Sequence, residues 1–439
     1  MNLARHQGRD ASEGSFIWGT IKRYRYRARK VFFCILLTTI GACRLSLSYS
    51  FLTHEQIIDI VWKDDLQPLL LARFPNASAD ELRQAHAYAY GGSLIQDLGY
   101  YPFGNKLFSD LTHYVRSGAF LEALLRESRD LDEYAFALGA LSHYSGDDLG
   151  HALATNRCVP LLFPRLREQY GREVAYADDP TAHIRVEFGF DVVQVARGQY
   201  ASRAYHDFIG FEVSKPVLGR AFKATYGLEL KDIFRNLDAA LASYRKAVST
   251  TIPQLTKVAW REKHDQIQKL IPGATRAQFI YSMTRGEYKK EWGNEYRVPL
   301  FGRILGFLVR VLPKVGPLAA ASPKIPTPEA ERLFLESFDA AVEDYRALLR
   351  GLPGLDLGNP NLDLGRPSRA GDYSLADEGY SRLLDTLGRR GFAGASPELR
   401  RDILAFYADP EAPVETRRTD PARWRRNRRD LERLRALSP

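Results

Sequence analysis

His143-Tyr144-Ser145-Gly146-Asp147 is followed four residues later by His151, inside an apolar stretch that predicts a helix over 131–154. Positions i and i+4 share one face of an α-helix. The same spacing recurs in His183-x-x-x-Glu187, within a second predicted helix over 181–198. Each pair directs two metal-competent side chains into one space. The spacing therefore indicates a buried metal site between packed helices.

Other parts of the chain add to this set of candidate ligands. Neutral imidazole and carboxylate groups are ligands that zinc prefers, and one tetrahedral ion needs only four of them. A di-iron carboxylate bundle would need Glu-x-x-His pairs, which the sequence does not contain. The sequence therefore predicts a cluster of two or three zinc ions. Its eight candidate ligands, which include five of the nine histidines, are His54, Asp97, His113, His143, Asp147, His151, His183 and Glu187.

Helical patterns dominate the body of the chain. Thr53-His54-Glu55-Gln56 has the form of a capping box and predicts a helix with Thr53 as its N-cap. Thr327 is expected to cap a later helix that starts at Pro328. No long alternating strand pattern appears. The predicted fold is all-α, a multi-helix bundle that encloses the metal cluster, with additional C-terminal helices. The other predicted helices span 82–98, 107–128 and 228–249.

Charge is distributed unevenly along the chain. Residues 1–48 hold nine Lys/Arg and two Asp/Glu, and residues 417–435 hold nine Arg and three acids. Since the whole chain carries +9, the remaining body is close to −4. The basicity thus belongs to the two ends, which disfavours nucleic acid as a partner of the central region. The predicted organisation is an export segment (1–48), a catalytic helical domain (49–260), a further helical region (261–410) and a basic tail (411–439).

The N-terminal segment has the order of an export signal. A basic run at 22–30 precedes an apolar run at 31–42, which is shorter than a membrane-spanning helix requires. Ser46-Leu47-Ser48 fits the cleavage rule and would leave Tyr49 as the first mature residue. Two alternatives remain open, a lipoprotein anchored at Cys43 and an uncleaved signal anchor. We expect a periplasmic or secreted protein.

The C-terminal third contains two segments whose role the sequence leaves open. Residues 299–320 predict a hydrophobic hairpin, which either contacts a membrane surface through 301–318 or covers the core. The Arg-rich tail around Trp424 is expected to be solvated and partly disordered. Leu355-Asp356-Leu357-Gly358 recurs as Leu362-Asp363-Leu364-Gly365, but two copies of four residues are too short for a solenoid.

The ordered pattern of ligands carries a family resemblance. The order His, Asp, His, His-x-x-x-Asp, His, His-x-x-x-Glu resembles the zinc-dependent phospholipase C family of bacteria, whose superfamily includes fungal zinc-dependent single-strand nucleases. The segment His143-Tyr144-Ser145-Gly146-Asp147 is similar to the family's His-Tyr/Phe-x-Gly-Asp. The resemblance extends over about 49–200 and implies three zinc ions.

The resemblance also implies which residue holds which ion. His151, His183 and Glu187 resemble the ligands of an isolated zinc, while Asp147 would bridge the other two ions. The remaining implied ligands are Asp97, His113 and His143 on the second zinc, and His54 with the amine and carbonyl of Tyr49 on the third.

Three features depart from the family or divide its branches. Tyr49 replaces the usual N-terminal Trp, and the gap from Asp147 to His151 is four where the family usually shows six. The spacing of five between Tyr49 and His54 matches the nuclease branch, whereas Glu187 matches the phospholipase branch. The signals for substrate class therefore conflict.

The function that the resemblance implies is an exported zinc-dependent phosphodiesterase, in which a hydroxide held between two zincs attacks phosphorus. Asp97 would be ligand, general base or both. Its aromatic neighbours, Tyr100, Tyr101, Phe103 and Phe108, either line a pocket for a headgroup or a nucleobase or belong to the core. The leading substrate is a phospholipid. The alternatives are a single-strand nuclease or nucleotidase and a non-catalytic, metal-stabilised binding protein.

Overall fold

The computed structural model describes residues 51–292 and 322–437, which contain helices and no β-strand. The all-α prediction is confirmed for this part of the chain. The export segment, Tyr49 and the hairpin at 299–320 lie outside the described residues. The described residues belong to one compact unit. The boundaries at 260 and 410 stay a prediction.

The first group of helices carries the predicted ligands. In chain order these helices are α1 (Phe51–Val61), α2 (Gln67–Arg73), α3 (Ala79–Gly92), α4 (Lys106–Tyr114), α5 (Ser117–Glu127), α6 (Leu131–Gly150), α7 (Asn156–Leu162), α8 (Pro164–Tyr170) and α9 (Pro180–Ala196). A 3₁₀ turn at Ile95–Tyr100 separates α3 from α4, and a π-helical turn at His151–Thr155 joins α6 to α7.

The second group follows the first in the chain. Its helices are α10 (Arg203–His206), α11 (Lys215–Tyr226), α12 (Leu230–Ile233), α13 (Leu237–Lys246), α14 (Ile252–Leu270), α15 (Arg285–Trp292), α16 (Pro328–Gly351), α17 (Ser374–Arg389), α18 (Pro397–Phe406), α19 (Glu415–Thr419) and α20 (Pro421–Leu437).

Helix α6 is the central element. The Asp130 side chain caps its N-terminus by accepting a hydrogen bond from the amide of Glu133. The helix is buried along most of its length and packs against α3 on one side and α16 on another. Steps of four residues place His143, Asp147 and His151 along one stripe of this helix. The metal-competent side chains therefore project into the interior of the bundle.

Two helix predictions were wrong in detail. Thr53 is not an N-cap, because α1 already begins at Phe51 and the Thr53 hydroxyl instead donates to Asp191 at 3.0 Å. The helix predicted over 107–128 is two helices, since Arg116 adopts a left-handed conformation (φ 54°) between them. The Thr327 cap is confirmed, with its hydroxyl accepting from the amide of Ala330.

The predicted helix over 228–249 is also divided. The structure has the short α12, a break, and then α13, which continues through a π-helical turn at Ala247–Thr251 into α14. The expected partial disorder of the tail was wrong for the described residues, although most of the tail's side chains are exposed as expected. Helix α20 spans Pro421–Leu437 and buries Asn427, Leu431 and Leu434 against the rest of the C-terminal region.

The C-terminal region packs directly on the ligand-bearing helices. Residues 357–366, which we call the C-terminal strap, bond to α4, α5 and α6. The Leu362 amide donates to the carbonyl of His113 at 3.0 Å, and the Tyr144 hydroxyl donates to the carbonyl of Leu357 at 2.5 Å. Gly118 permits the approach, because a Cβ there would clash with the carbonyl oxygen of Gly358. The strap is thus part of the wall around the bundle interior.

Among the described residues, none of the helices combines the length and the apolar character that crossing a membrane requires.

Candidate metal centre

The structure brings the predicted ligands of the bundle together in three buried triads. One triad is His54, His143 and Asp147, the second is Asp97, His113 and His143, and the third is His151, His183 and Glu187. In each triad the candidate ligand atoms lie within 4.8 Å of one another. We call the first two the paired triads, because they share His143, and the third the isolated triad.

The imidazoles of His113 and His143 face each other in the paired triads. The Nδ1 of His113 lies 2.8 Å from the carbonyl of Ser109, and the Nδ1 of His143 lies 2.9 Å from the carbonyl of Ser93. A carbonyl only accepts, so each Nδ1 carries a hydrogen, and each Nε2 is the nitrogen left to bind a metal ion or a further proton. The two Nε2 atoms are 3.1 Å apart. The space between them and the neighbouring carboxylates therefore suits a positive charge, carried either by a proton or by a metal ion.

Asp147 lies between the two paired triads. Its Oδ1 is 3.2 Å from His54 Nε2, while its Oδ2 is 3.1 Å from His143 Nε2 and 3.3 Å from His113 Nε2. Burial alone would raise the pKa of Asp147, but the neighbouring imidazoles outweigh burial and hold its pKa well below the usual range. The carboxylate is therefore ionised, with one oxygen turned to each side, as a bridging ligand requires.

The isolated triad joins the end of α6 to α9. The Oε1 of Glu187 is 3.3 Å from His151 Nε2 and 3.1 Å from His183 Nδ1. His151 stands at the start of the π-helical turn, and its Nε2 is 3.9 Å from Asp147 Oδ1. The short gap of four residues after Asp147 therefore does not remove His151 from the site, since it keeps both side chains on one stripe of the helix.

The spacing of these atoms suits zinc. Metal–ligand bonds of about 2.0–2.1 Å in a tetrahedron separate two ligand atoms by about 3.3 Å. Nitrogen–oxygen distances within the three triads lie between 3.1 and 3.4 Å, and the distance from Asp97 Oδ1 to His113 Nε2 is at the upper end of this range. The donor set of imidazole nitrogen and carboxylate oxygen is also the one that zinc prefers.

Electrostatics favour positive charge at the same place. Burial opposes a charge on His113, but the carboxylates of Asp147 and Asp97 outweigh it and raise the pKa of His113 to about 10. Burial raises the pKa of Asp97, but the neighbouring His113 and His143 lower it by more. The pKa of Asp97 therefore lies below its usual range. The centre therefore attracts cations, and a metal ion competes there with protons.

The local sequence explains how His54 reaches α6. The ring of His54 stacks on the ring of His143 with centroids 4.2 Å apart. Gly146 faces the same ring, and a Cβ at this position would lie only 3.1 Å from it. Asp191 fixes the start of α1 by accepting from the Leu52 amide at 3.1 Å as well as from Thr53.

The three described histidines outside the ligand pattern lie away from the triads. His86 is stacked between Trp62 and Tyr90, whereas His206 and His264 are exposed and pair with the neighbouring Asp207 and Asp265. Tyr49 lies outside the described residues, so its part in the third ion stays a prediction.

The aromatic residues around Asp97 do not form one surface. Tyr101 packs on Phe51 and Tyr244, and Phe108 packs on Phe222 and Phe234. These contacts are those of core residues. Tyr100 differs, because its ring lies 6.1 Å from that of His113 and borders the metal centre.

Sequence reasoning missed two buried side chains behind the isolated triad. Asp363 Oδ1 lies 3.1 Å from His151 Nδ1, and Asn156 Oδ1 lies 2.7 Å from His183 Nε2. Asp363 belongs to the second Leu-Asp-Leu-Gly repeat, which drew attention only as a possible structural repeat. Asn156 follows His151 by five residues, and no motif in the sequence marks it as a site residue.

The fold and the site together define an all-α protein with three buried His/carboxylate triads. Residues 53–236 match the family model described as zinc dependent phospholipase C. The resemblance drawn from the ligand pattern is thereby confirmed. Comparison with curated proteins and with solved structures found no match. Asp363 and the C-terminal strap lie beyond the matched segment.

Proposed function

We propose that this chain is an exported zinc-dependent phosphodiesterase of the phospholipase C type, which hydrolyses the glycerol–phosphate bond of a phospholipid. The family match over residues 53–236 supports the class of reaction. Phospholipid as the substrate also agrees with Glu187, which matches the phospholipase branch, and with a body whose charge is not basic.

One observation carries the proposal. The facing Nε2 atoms of His113 and His143 and the two oxygens of Asp147 converge on a small buried space. A purely structural cluster would pair each lone pair with a hydrogen-bond donor. Here the Nε2 atoms and the carboxylate oxygens face one another, and the raised pKa of His113 indicates that this arrangement favours positive charge. The residues present therefore fit a zinc cluster.

Each residue of the paired triads has a defined task. His113 and His143 present Nε2 as a ligand because backbone carbonyls hold the hydrogen on Nδ1. Asp97 remains ionised, so it can bind metal and accept a proton from an attacking water molecule. Zinc, when bound, brings the pKa of a water ligand toward about 7 and offsets negative charge on the phosphate.

The decisive experiment compares two substrates. Mature protein is loaded with zinc, its metal content is measured by elemental analysis, and it is then assayed in parallel on phosphatidylcholine vesicles and on single-stranded DNA. We expect close to three zincs per chain and release of phosphocholine and diacylglycerol. Cleavage of DNA alone would identify a nuclease, and full zinc loading without turnover of either substrate would identify a metal-stabilised binding protein.

A metal-free but well-folded protein would contradict the proposal that this is a zinc enzyme.

Export has its own test, which is N-terminal sequencing of the protein recovered from outside the cytoplasm. We expect a mature chain that begins at Tyr49. A chain that begins at a lipidated Cys43 would identify a lipoprotein instead.

A further inference from the structure

Two acceptor side chains stand behind the histidines of the isolated triad. His151 turns Nε2 toward Glu187 at 3.3 Å, and its opposite nitrogen, Nδ1, lies 3.1 Å from Asp363 Oδ1. His183 turns Nδ1 toward Glu187 at 3.1 Å, and its opposite nitrogen, Nε2, lies 2.7 Å from Asn156 Oδ1. In both rings the nitrogen that faces away from Glu187 meets an oxygen.

These contacts select the tautomer of each ring. An acceptor behind the ring holds the hydrogen on the nitrogen nearest to it. The front nitrogens, Nε2 of His151 and Nδ1 of His183, face Glu187, which is also an acceptor. With the rear hydrogens held in place, these front nitrogens are the ones that can bind zinc once an ion replaces any proton between them and Glu187. A carboxylate behind a metal-binding histidine also makes its ring a stronger ligand.

We infer that Asp363 is a positioning residue of the isolated metal site, which orients His151 to bind zinc through Nε2. The residue is supplied from outside the family segment at 53–236. This inference deepens the proposed function, because it assumes that the isolated triad holds zinc. It does not depend on which phosphodiester is hydrolysed.

Asp363 is itself held rigidly. Its second carboxylate oxygen accepts from the amide of Tyr176 at 2.9 Å and from the hydroxyl of Tyr373 at 2.8 Å. Its carbonyl accepts from Asn156 Nδ2 at 2.6 Å, and its side chain is fully buried. Asn156 and Asp363 are therefore linked into one frame behind the two histidines. Only a carboxylate suits this position, because donors face both of its oxygens.

Asp363 is not placed as a direct ligand of the same ion. Its Oδ1 is 3.8 Å from His183 Nε2, so it lies near the nitrogens of both rings that face away from Glu187. The triad of ligand atoms within 4.8 Å contains His151, His183 and Glu187 without it. Its effect on the metal therefore passes through His151.

The duplicated tetrapeptide supplies a matched control. Leu355-Asp356-Leu357-Gly358 and Leu362-Asp363-Leu364-Gly365 are identical in sequence, yet Asp356 is exposed where Asp363 is buried. Asp363→Asn and Asp356→Asn thus make the same chemical change in the same local sequence. Only the first removes a charge from the frame behind His151.

The test measures zinc binding by the full chain rather than activity. Zinc affinity is determined by competition with a chelator, and the thermal unfolding of each protein is followed with and without zinc. For Asp363→Asn we expect the isolated zinc to bind about 10–100-fold more weakly, which is typical for loss of such a partner. The other two zincs should bind as in the wild type, as should all three in Asp356→Asn.

A purely structural role for Asp363 gives a different result. Asp363→Asn would then lower the unfolding temperature equally with and without zinc, and zinc affinity would stay at the wild-type value, which would overturn the inference. If the metal-free variant does not fold, the absorption spectrum of the cobalt-loaded protein decides instead. An unchanged spectrum would equally overturn it. A wild type that binds zinc but hydrolyses neither substrate would refute only the proposed reaction.

Discussion

The paired triads and the isolated triad orient their histidines by different means. In the paired triads, backbone carbonyls of Ser109 and Ser93 hold His113 and His143. In the isolated triad, the side chains of Asn156 and Asp363 do this work. The first arrangement follows from helices that lie within the family segment. The second adds a side chain of the C-terminal strap, Asp363, to one from the family segment, Asn156. The isolated triad is therefore the part of the centre in which a side chain from beyond the family segment stands behind a candidate ligand.

The largest expected effect comes from Asp147. Asp147→Ala should reduce phosphodiesterase activity to background and remove two of three zincs, because one oxygen lies toward each paired triad. His183→Ala should remove only the isolated zinc. Elemental analysis of the two variants checks both counts.

His206→Ala provides the control, since the His206 side chain is exposed and remote from the triads. It should keep its activity and all three zincs. Equal losses in Asp147→Ala and His206→Ala would show that the ligands have been assigned to the wrong residues.

The next effect concerns the N-terminus. If the amine of Tyr49 binds the third zinc, one additional residue before it displaces that amine by about 3.8 Å. Activity should fall strongly while the fold and the isolated zinc remain, because Asp191 still anchors the start of α1. Far-ultraviolet circular dichroism and zinc analysis of the extended chain test this. Full activity of the extended chain would exclude the amine as a ligand.

A smaller effect, on the pH dependence of folding stability, is expected at Asp110. This residue lies on α4 where α17 covers it, beside the paired triads. Burial raises the pKa of Asp110 to about 6. In the unfolded chain an aspartate titrates near pH 3.9. The folded state therefore favours the protonated form, and this contribution to stability is lost as the pH rises through 6.

Asp110→Asn should abolish this loss of stability at higher pH, because asparagine has no carboxyl group to ionise. Relative to the wild type, its free energy of unfolding should be similar below about pH 4 and higher by about 2–3 kcal/mol above about pH 6. Urea unfolding of the metal-free proteins at several pH values measures the difference. A difference that does not change with pH would mean that α17 leaves Asp110 solvated.

The smallest effect of a substitution is expected on the alkylation of Cys158, which lies behind the isolated triad. Cys158 lies on α7 with its sulfur 3.6 Å from the carbonyl of Ala330 on α16, and burial raises its pKa to about 12. Its thiolate fraction, and so its alkylation by iodoacetamide, should be about 1000-fold lower than in the unfolded mature chain. Faster alkylation in Asp363→Ala than in Asp356→Ala would show that the strap also steadies α7. Equal rates would confine its influence to His151.

Spacing predicted which candidate side chains come together in the fold, because it reports helix geometry directly. Their role as ligands stays a prediction. His143, Asp147 and His151 recur every four residues, and His183 and Glu187 do the same, so the helical stripe alone aligns them. All of the predicted ligands from His54 to Glu187 meet in the three triads.

The residues that were missed depend on long-range contacts. Asp356 and Asp363 have identical neighbours in sequence, and only the fold makes one of them exposed and the other buried. Thr53 reads locally as an N-cap, yet the distant Asp191 takes its hydroxyl instead. The many arginines of the basic tail predict a solvated segment, because they outnumber its apolar residues. The structure nevertheless has α20 packed against the other C-terminal helices, with Leu431 and Leu434 buried.

The contact between Gly118 and the strap makes the absence of a side chain part of the wall around the bundle interior. A side chain at residue 118 would occupy the space of the Gly358 carbonyl, so the strap and any larger residue there exclude each other. A larger residue at this position should therefore loosen the support of the isolated triad from the C-terminal side, although residue 118 is not a candidate ligand.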